Sequence, residues 1–414
     1  MSIPPSFQDR EVAVSRDAAS PLRGRREMFL VPDGTIYLDG NSLGALPRAV
    51  PARIADTVTR EWGQGLIESW NTAGWIDLPR RVGAKIATLV GAGDDDVILT
   101  DSTSVALFKA IVAACRLRPD RTVIVMEPST FPTDGYIATS AARMLGLEVR
   151  WCDPSDPVRA LRDDVAVLCL THVDFRTGAM FDLGALTSAA HDVGALMLWD
   201  LCHSTGAVPV ELTEHGVDLA VGCTYKYLNG GPGSPAFTYV APQHQAAIDQ
   251  PLPGWMGHAR PFDMERDYAP KEGIGRLASG TPQILALSAL DAALDVFDGI
   301  DHPTLRAVSV SLTDYFITLV DARLGSQFEV VSPRDAERRG SQVSLAHPEA
   351  YGVVQALIER GVIGDFRTPD LSRFGFAPLY VTHVDVFDAV EHLVAVMENR
   401  EYARPSYSTR NLVT

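Results

Sequence analysis

Short apolar runs alternate with helical segments through the middle of the chain. The runs lie at residues 97–100, 122–127, 147–152, 165–171, 195–200 and 219–225. They are almost continuously apolar, which is typical of strands buried on both faces. Segments such as 104–115 carry apolar residues at helical spacing and predict crossover helices. The pattern therefore predicts an α/β fold, a mostly parallel sheet with helices on both faces.

The ends of the chain follow other patterns. Residues 1–29 are polar and interrupted by prolines, which indicates an arm with room for one helix. Residues 36–39 predict a short strand, and 48–70 and 80–92 predict helices. Helical segments at 286–300, 305–324 and 385–399 and strands at 328–332 and 342–347 indicate a smaller α+β domain. We therefore expect an arm at 1–29, a large domain at 30–290 and a small domain at 291–414.

Composition narrows the class of protein. With 46% hydrophobic and 21% charged residues, the chain has the make-up of a soluble globular enzyme. Its formal net charge of −16 argues against nucleic-acid binding, which requires a basic face. The N-terminus lacks an apolar signal-peptide core, and no run is long enough to span a membrane, so we expect a cytoplasmic protein. The five cysteines form no CxxC pair and are expected to be buried thiols.

Polar residues follow several of the predicted strands. Ligands bind beyond the carboxyl ends of strands in open parallel sheets, so these residues are the candidates for a site. Ser102, Thr103 and Ser104 precede a helix, where hydroxyls and free N–H groups either bind phosphate or simply cap the helix. Phe131 either stacks on a planar ring or is an ordinary packed aromatic. Thr171 ends the 165–171 run.

Asp200 ends the 195–200 run, and Lys226 directly follows the 219–225 run. An aspartate after a buried strand is costly unless it meets a cation or several donors, although it could also cap the next helix. Lys226 stands before the glycine-rich segment 230–233, and burial disfavours its ammonium form, which suits a Schiff-base amine. No GK[ST] follows, so this is not a P-loop. Hydroxyls, an aromatic, an aspartate and a lysine in this order match what pyridoxal 5′-phosphate (PLP) requires.

Several longer segments strengthen this interpretation. They include YLDGNSLG (37–44), SWNTAGW (69–75), FPTDGY (131–136), LTHVDFRTG (170–178), WDLCHSTGAVPV (199–210), GCTYKYLNGGPGSPAF (222–237), GWMGH (254–258), GTPQ (280–283) and RFGFAPLY (373–380). Together they resemble kynureninases of the bacterial type, from about residue 20 to the end. The resemblance implies the type I, aspartate aminotransferase-like fold of PLP enzymes with a seven-stranded type of sheet. It also implies a homodimer with shared active sites.

The resemblance assigns roles to individual residues. Lys226 would form the Schiff base and Asp200 would pair with the ring nitrogen, with Tyr225 as a proton carrier. The other cofactor-binding residues would be Thr103, Ser104, Phe131, Pro132, Thr133, Asp134, Thr171 and His203, with Trp255 and Thr281 reaching across from the other subunit. Arg373 would clamp the substrate carboxylate, near Asn41 and Ser42. Trp70 and Thr281 stand where bacterial enzymes that prefer L-kynurenine carry these residue types.

The implied reaction is hydrolysis of L-kynurenine to anthranilate and L-alanine, with 3-hydroxykynurenine as a second substrate. It belongs to tryptophan catabolism by the kynurenine pathway, which also supplies NAD biosynthesis. No metal is expected, because the ten histidines show no ligand spacing. The enzyme alternative is another type I PLP enzyme such as a cysteine desulfurase-like lyase. The non-enzyme alternative is a PLP-binding regulator, for which the chain lacks a basic domain.

Overall fold

A computed structural model describes residues 9–410 of the chain. Its helices are α1 Arg10–Ala19, α2 Val50–Asp56, α3 Ser69–Thr72, α4 Leu78–Leu89, α5 Thr103–Arg116, α6 Pro132–Leu145, α7 Leu183–Asp192, α8 Pro242–Gln245, α9 Ile284–Leu294, α10 His302–Arg323, α11 Ala350–Glu359 and α12 His383–Glu398. Its strands are β1 Ile36–Tyr37, β2 Val97–Leu99, β3 Val123–Met126, β4 Glu148–Trp151, β5 Val165–Thr171, β6 Leu196–Asp200, β7 Leu219–Gly222, β8 Phe237–Val240, β9 Glu329–Val330, β10 Gln342–Ala346, β11 Val362–Ile363, β12 Asp365–Arg367 and β13 Leu371–Gly375.

The largest sheet has seven strands in the order β2-β8-β7-β6-β5-β3-β4. The strands β7, β6, β5, β3 and β4 are parallel, whereas β8 is antiparallel to both of its neighbours. All six apolar runs named from the sequence are strands of this sheet. The predicted mostly parallel sheet is therefore confirmed, and β8 is a strand that the sequence reading missed.

Each buried strand contributes side chains to two cores. Along β5, Leu168 and Leu170 belong to one apolar cluster, whereas Val167 and Cys169 belong to a second cluster with α5 and α6. Alternate side chains of a strand point to opposite faces, so a run that is apolar throughout requires cover on both. This packing places the helices on the two faces as expected.

The C-terminal part contains a four-stranded antiparallel sheet, β12-β13-β10-β9. The predicted strands at 328–332 and 342–347 correspond to β9 and β10, and the sequence reading missed β11, β12 and β13. The predicted helix at 48–70 is shorter than expected: α2 ends at Asp56, continues as a π-helical turn to Trp62 and stops at Gly63 and Gly65.

The N-terminal segment is anchored to the C-terminal helix. The one helix expected in residues 1–29 is α1, and the first eight residues lie outside the described part of the chain. Arg10 pairs with Asp388 at 2.8 Å, and the carboxylate of Asp17 accepts from the backbone N–H of His383 at 2.7 Å. This carboxylate thereby satisfies a free amide at the start of α12.

Two further expectations concern cysteines and membranes. All five cysteines are buried free thiols, as predicted. Within residues 9–410, no helix combines the length and the apolar character needed to cross a bilayer.

Candidate active site

A cavity of about 230 Å³ opens at the carboxyl edge of the seven-stranded sheet. Because β5, β6 and β7 are parallel, the residues that follow them meet at one edge. The segment after β1 and the small sheet form the opposite wall. The lining residues are Asn41, Ser42, Thr103, Ser104, Phe131, Thr133, Asp134, Thr171, Phe175, Asp200, Cys202, His203, Tyr225, Lys226, Arg367 and Arg373.

Lys226 is half-buried, and its amine lies against an imidazole. The Nζ atom is 2.8 Å from Nε2 of His203, which is itself buried. Burial and the cations Lys226 and Arg373 hold the pKa of His203 well below its usual range. The imidazole is therefore neutral at physiological pH and accepts a hydrogen bond from the lysine.

Two buried carboxyl groups face each other on the sheet side of the cavity. Asp200 ends β6, and its Oδ1 accepts from the backbone N–H of Cys202 at 2.8 Å, in a turn and not at the cap of a following helix. Burial and the neighbouring Asp200 raise the pKa of Asp134 well above its usual range. The hydroxyl of Thr171 lies 3.3 Å from Asp134. A cationic ligand beside the two carboxyl groups would favour their charged forms.

The first turn of α5 forms another wall. Thr103 is the first residue of the helix, and the Ser102 side chain makes no capping hydrogen bond. Thr103 and Ser104 line the cavity at the N-terminus of the helix, where both hydroxyls and free N–H groups are available. This arrangement suits an anion, because the helix dipole adds to the hydrogen-bond donors.

Aromatic side chains border the mouth. Phe131 packs edge-on against Phe175, with ring centroids 5.3 Å apart. Burial and the Cys223 thiol raise the pKa of the Tyr225 phenol, so it keeps its proton at neutral pH. Thr133 lines the cavity, whereas Pro132 starts α6 and lies outside the lining.

Arg373 reaches the cavity from β13 and is almost fully buried. Its Nε donates to Asp365 at 2.8 Å, one terminal nitrogen donates to Asp365 and to Ser42 Oγ at 2.7 Å, and the other donates to the Phe175 carbonyl at 2.5 Å. The bidentate face that the sequence reading reserved for a substrate is therefore occupied by Asp365. Arg367 also pairs with Asp365, at 2.7 Å, and its buried Nε has no partner.

Three of the predicted residues lie away from this cavity. Trp70 packs edge-on against Trp75 with ring centroids 5.9 Å apart. Trp255 packs against Phe262, and Thr281 lines a separate, larger cavity. Trp255 and Thr281 could therefore contribute to a cofactor site only across a subunit interface, at the cavity of a partner subunit.

The sequence reading missed four residues of the site. Phe175 and Cys202 lie within quoted motifs, so position after β5 and β6 could have identified them. Arg367 and Asp365 stand on a strand that no pattern predicted. The Ser42 hydroxyl donates to Asp365 at 2.6 Å, and this contact joins residues more than three hundred positions apart.

Comparison with solved structures defines the fold. A cysteine desulfurase from Thermococcus onnurineus NA1 superposes with a TM-score of 0.75 at 19% identity, covering 91% of this chain and 96% of that one. A cysteine desulfurase from Escherichia coli gives 0.74 at 20% identity, covering 90% and 98%. The predicted type I fold of PLP enzymes is confirmed.

Comparison with curated proteins defines the family. The kynureninase of Pseudomonas fluorescens is 50% identical over 98% of this chain and 99% of its own length. That of Burkholderia mallei (strain SAVP1) is 51% identical over 99% and 100%. The profile of the kynureninase C-terminal domain matches residues 305–393. The chain belongs to the kynureninase family.

Proposed function

We propose that the protein hydrolyses L-kynurenine to anthranilate and L-alanine, and also accepts 3-hydroxykynurenine. The observation that carries the proposal is the cavity that joins Lys226, Asp200 and Arg373 in a chain about 50% identical to kynureninases over its full length. Water supplies the oxygen of the new anthranilate carboxyl, and the alanine methyl gains a hydrogen as the Cβ–Cγ bond breaks.

The cavity fits PLP on three counts. Among residues 9–410, neither Asp134 nor Asp200 forms a salt bridge, and burial raises the pKa of Asp134, so a protonated pyridine nitrogen would supply a cationic partner. The Thr103 and Ser104 hydroxyls and the α5 terminus form an anion site for the phosphate. The Lys226 amine lies in the same cavity for Schiff-base formation. Phe131, Thr133, Thr171, His203 and Tyr225 complete the proposed cofactor site.

When bound, PLP supplies an electron sink for the carbon atoms of the substrate. Asp200 keeps the ring nitrogen charged, which makes that sink effective. Lys226 takes the Cα proton and returns it at a later step, and His203 accepts a hydrogen bond from the protonated amine. Tyr225, which keeps its proton at neutral pH, donates to the carbonyl oxygen that water attacks.

The substrate carboxylate is held by the arginines of the small sheet. Asp365, Ser42 and the Phe175 carbonyl engage all three guanidinium nitrogens of Arg373, so the carboxylate would bind the N–H groups of Arg373 and Arg367 that these partners leave over. Ser42 and Asn41 border the same space, and the Asn41 Oδ1 atom is buried without a partner. These groups would orient the amino acid end of kynurenine by charge-assisted hydrogen bonds.

Several finer assignments belong to the same proposal. The protein would be a cytoplasmic homodimer in tryptophan catabolism, connected to NAD biosynthesis. Trp255 and Thr281 would complete the partner's cofactor site, while Pro132 fixes the start of α6. Trp70 and Thr281 favour L-kynurenine as the preferred substrate. We also propose the division into an arm at 1–29, a large domain at 30–290 and a small domain at 291–414.

The test is a direct assay with a matched variant. Purified protein loaded with PLP is mixed with L-kynurenine, and anthranilate is followed by its fluorescence. We expect turnover with wild type and none with Lys226→Ala, which should also lose the visible absorbance of the bound cofactor. Near-normal turnover by the variant would refute the assignment of Lys226. Sulfide release from L-cysteine, without anthranilate release, would favour the desulfurase alternative.

A further inference from the structure

Gln342 connects the small sheet to the lysine through a histidine. It is buried on β10, and both ends of its amide are used. The Oε1 atom lies 2.9 Å from Nδ1 of His203 and accepts from Asn41 Nδ2 at 3.4 Å. The Nε2 atom donates to the backbone carbonyls of Asp174 at 3.2 Å and Phe175 at 3.1 Å.

These contacts determine which way the amide points. A backbone carbonyl only accepts, so the nitrogen of Gln342 must face Asp174 and Phe175. The oxygen therefore faces His203, and its partner Nδ1 must carry the hydrogen. A neutral imidazole has one N–H, so Nε2 presents a lone pair, and this is the atom that lies 2.8 Å from Lys226 Nζ.

The charges around His203 also favour the neutral imidazole. The nearby cations Lys226, Arg373 and Arg367 lower the pKa of His203, as does burial of its ring, while the carboxyl groups Asp200 and Asp134 line the same cavity. The cations and the burial disfavour the imidazolium, in which both nitrogens would be donors. A neutral ring in one tautomer is the state that satisfies Gln342 and Lys226 together.

We propose that Gln342 is a positioning residue for Lys226. It holds His203 in the Nδ1–H tautomer, so that Nε2 accepts a hydrogen bond from the lysine whenever the amine carries the proton taken from the substrate. The proposal rests on the proposed function, in which Lys226 moves that proton. Gln342 acts on Lys226 through His203, and it also accepts a long hydrogen bond from Asn41 at 3.4 Å.

Three variants separate this role from a structural one. Gln342→Met removes both the acceptor and the donor, whereas Gln342→Glu keeps an acceptor for His203 but loses the donor to the Asp174 and Phe175 carbonyls. Ser344 lies on the same strand, and its hydroxyl donates to the carbonyl of Arg176 in the same loop. Ser344→Ala is therefore the matched control for loosening the loop without touching His203.

The first measurement is nitrogen NMR of holoenzyme labelled with ¹⁵N-histidine, with the His203 signals assigned from His203→Gln. We expect the Nδ1–H tautomer in wild type, Gln342→Glu and Ser344→Ala. In Gln342→Met we expect Nε2–H or a mixture. An Nε2–H ring in wild type, or an unchanged Nδ1–H ring in Gln342→Met, overturns the proposal.

The second measurement is steady-state kinetics with L-kynurenine. For Gln342→Met, kcat should fall about tenfold or more, which is the scale for losing the outer partner of an oriented histidine. KM should change less, because Gln342 does not line the cavity. Gln342→Glu should retain more kcat than Gln342→Met; equal losses would indicate a loop anchor and overturn the proposal. If wild type releases no anthranilate, the proposed function fails, while the NMR result still decides the tautomer.

Discussion

Asp365 binds Arg373 through both carboxylate oxygens inside the protein, where each side chain is nearly inaccessible to solvent. Burial alone would raise the pKa of Asp365, but Arg373 and Arg367 hold it below its usual value. The carboxylate is therefore charged and fixes the plane of the guanidinium. In the proposed function, the substrate would meet an arginine whose orientation is already determined.

This pairing predicts that Arg373→Lys is not a conservative change. A lysine has one point of charge and cannot bind Asp365, Ser42 and the Phe175 carbonyl in the same geometry. We expect kcat/KM for L-kynurenine to fall, mostly through KM. The fall should correspond to a loss of about 2–3 kcal/mol of transition-state stabilisation. Arg360→Lys is the matched control, because Arg360 makes a two-point pair with Glu401 away from the cavity. An unchanged kcat/KM in Arg373→Lys would remove Arg373 from the substrate site.

Asp200→Asn tests the charge opposite the proposed ring nitrogen. The amide keeps an oxygen for the Cys202 N–H but loses the negative charge. We expect kcat to fall about 10²- to 10³-fold, the scale for removing one preorganised electrostatic contact, with PLP still bound by absorbance. Asp134→Asn is the comparison, since burial and the neighbouring Asp200 raise the pKa of Asp134 and so disfavour its charged form. Its loss should be less than about tenfold by the same reasoning; a larger loss than in Asp200→Asn would reverse the two assignments.

The parallel sheet could be predicted from the sequence because its strands are continuously apolar. A strand that is buried on both faces is apolar throughout. It can be recognised from its own residues, without knowing which strands pair with it, as in β5 and β6. The strand β8 lacks that pattern, and its antiparallel position depends on pairing with β2 and β7. Strands β11 and β12 have only two and three residues, and the small sheet that contains β12 and β13 forms only when distant segments meet.

The same distinction applies to the site. Asp200 and Lys226 could be predicted because Asp200 ends one apolar run of the sequence and Lys226 directly follows another, and this position marks both residues. Arg367 enters the cavity wall from the small sheet, and Asp365 and Gln342 support the wall from behind it. Nothing local to these three residues indicates a site. The role expected for Arg373 was also incomplete, because its partner Asp365 acts across a strand pair that was not predicted.

The burial of His172 predicts that the folded protein loses stability in mild acid. Its ring is buried and lies 2.9 Å from Ser204 Oγ, and burial lowers its pKa to about 4. The unfolded chain takes up a proton near pH 6.5, whereas the folded protein does so only near pH 4, so stability falls as the pH drops through this window. Between about pH 7 and pH 5 the loss should be about 2 kcal/mol.

The measurement is the free energy of unfolding by denaturant at both pH values, for wild type and His172→Asn. Asparagine does not titrate, so the variant should lose about 2 kcal/mol less than wild type over the same interval. Other groups titrate equally in both proteins and cancel in the difference. Parallel curves would mean that His172 is protonated in the folded state as readily as in the unfolded chain.

Trp255 and Lys226 allow a direct test of shared active sites. In a homodimer whose sites combine Lys226 of one subunit with Trp255 of the other, Lys226→Ala and Trp255→Ala are each expected to be strongly impaired. A mixed dimer of the two variants has one site with both changes and one site with neither. Co-refolding equal amounts should therefore restore roughly a quarter of wild-type activity by random pairing. If each subunit forms its own complete site, the mixture will show only the mean of the two parent activities.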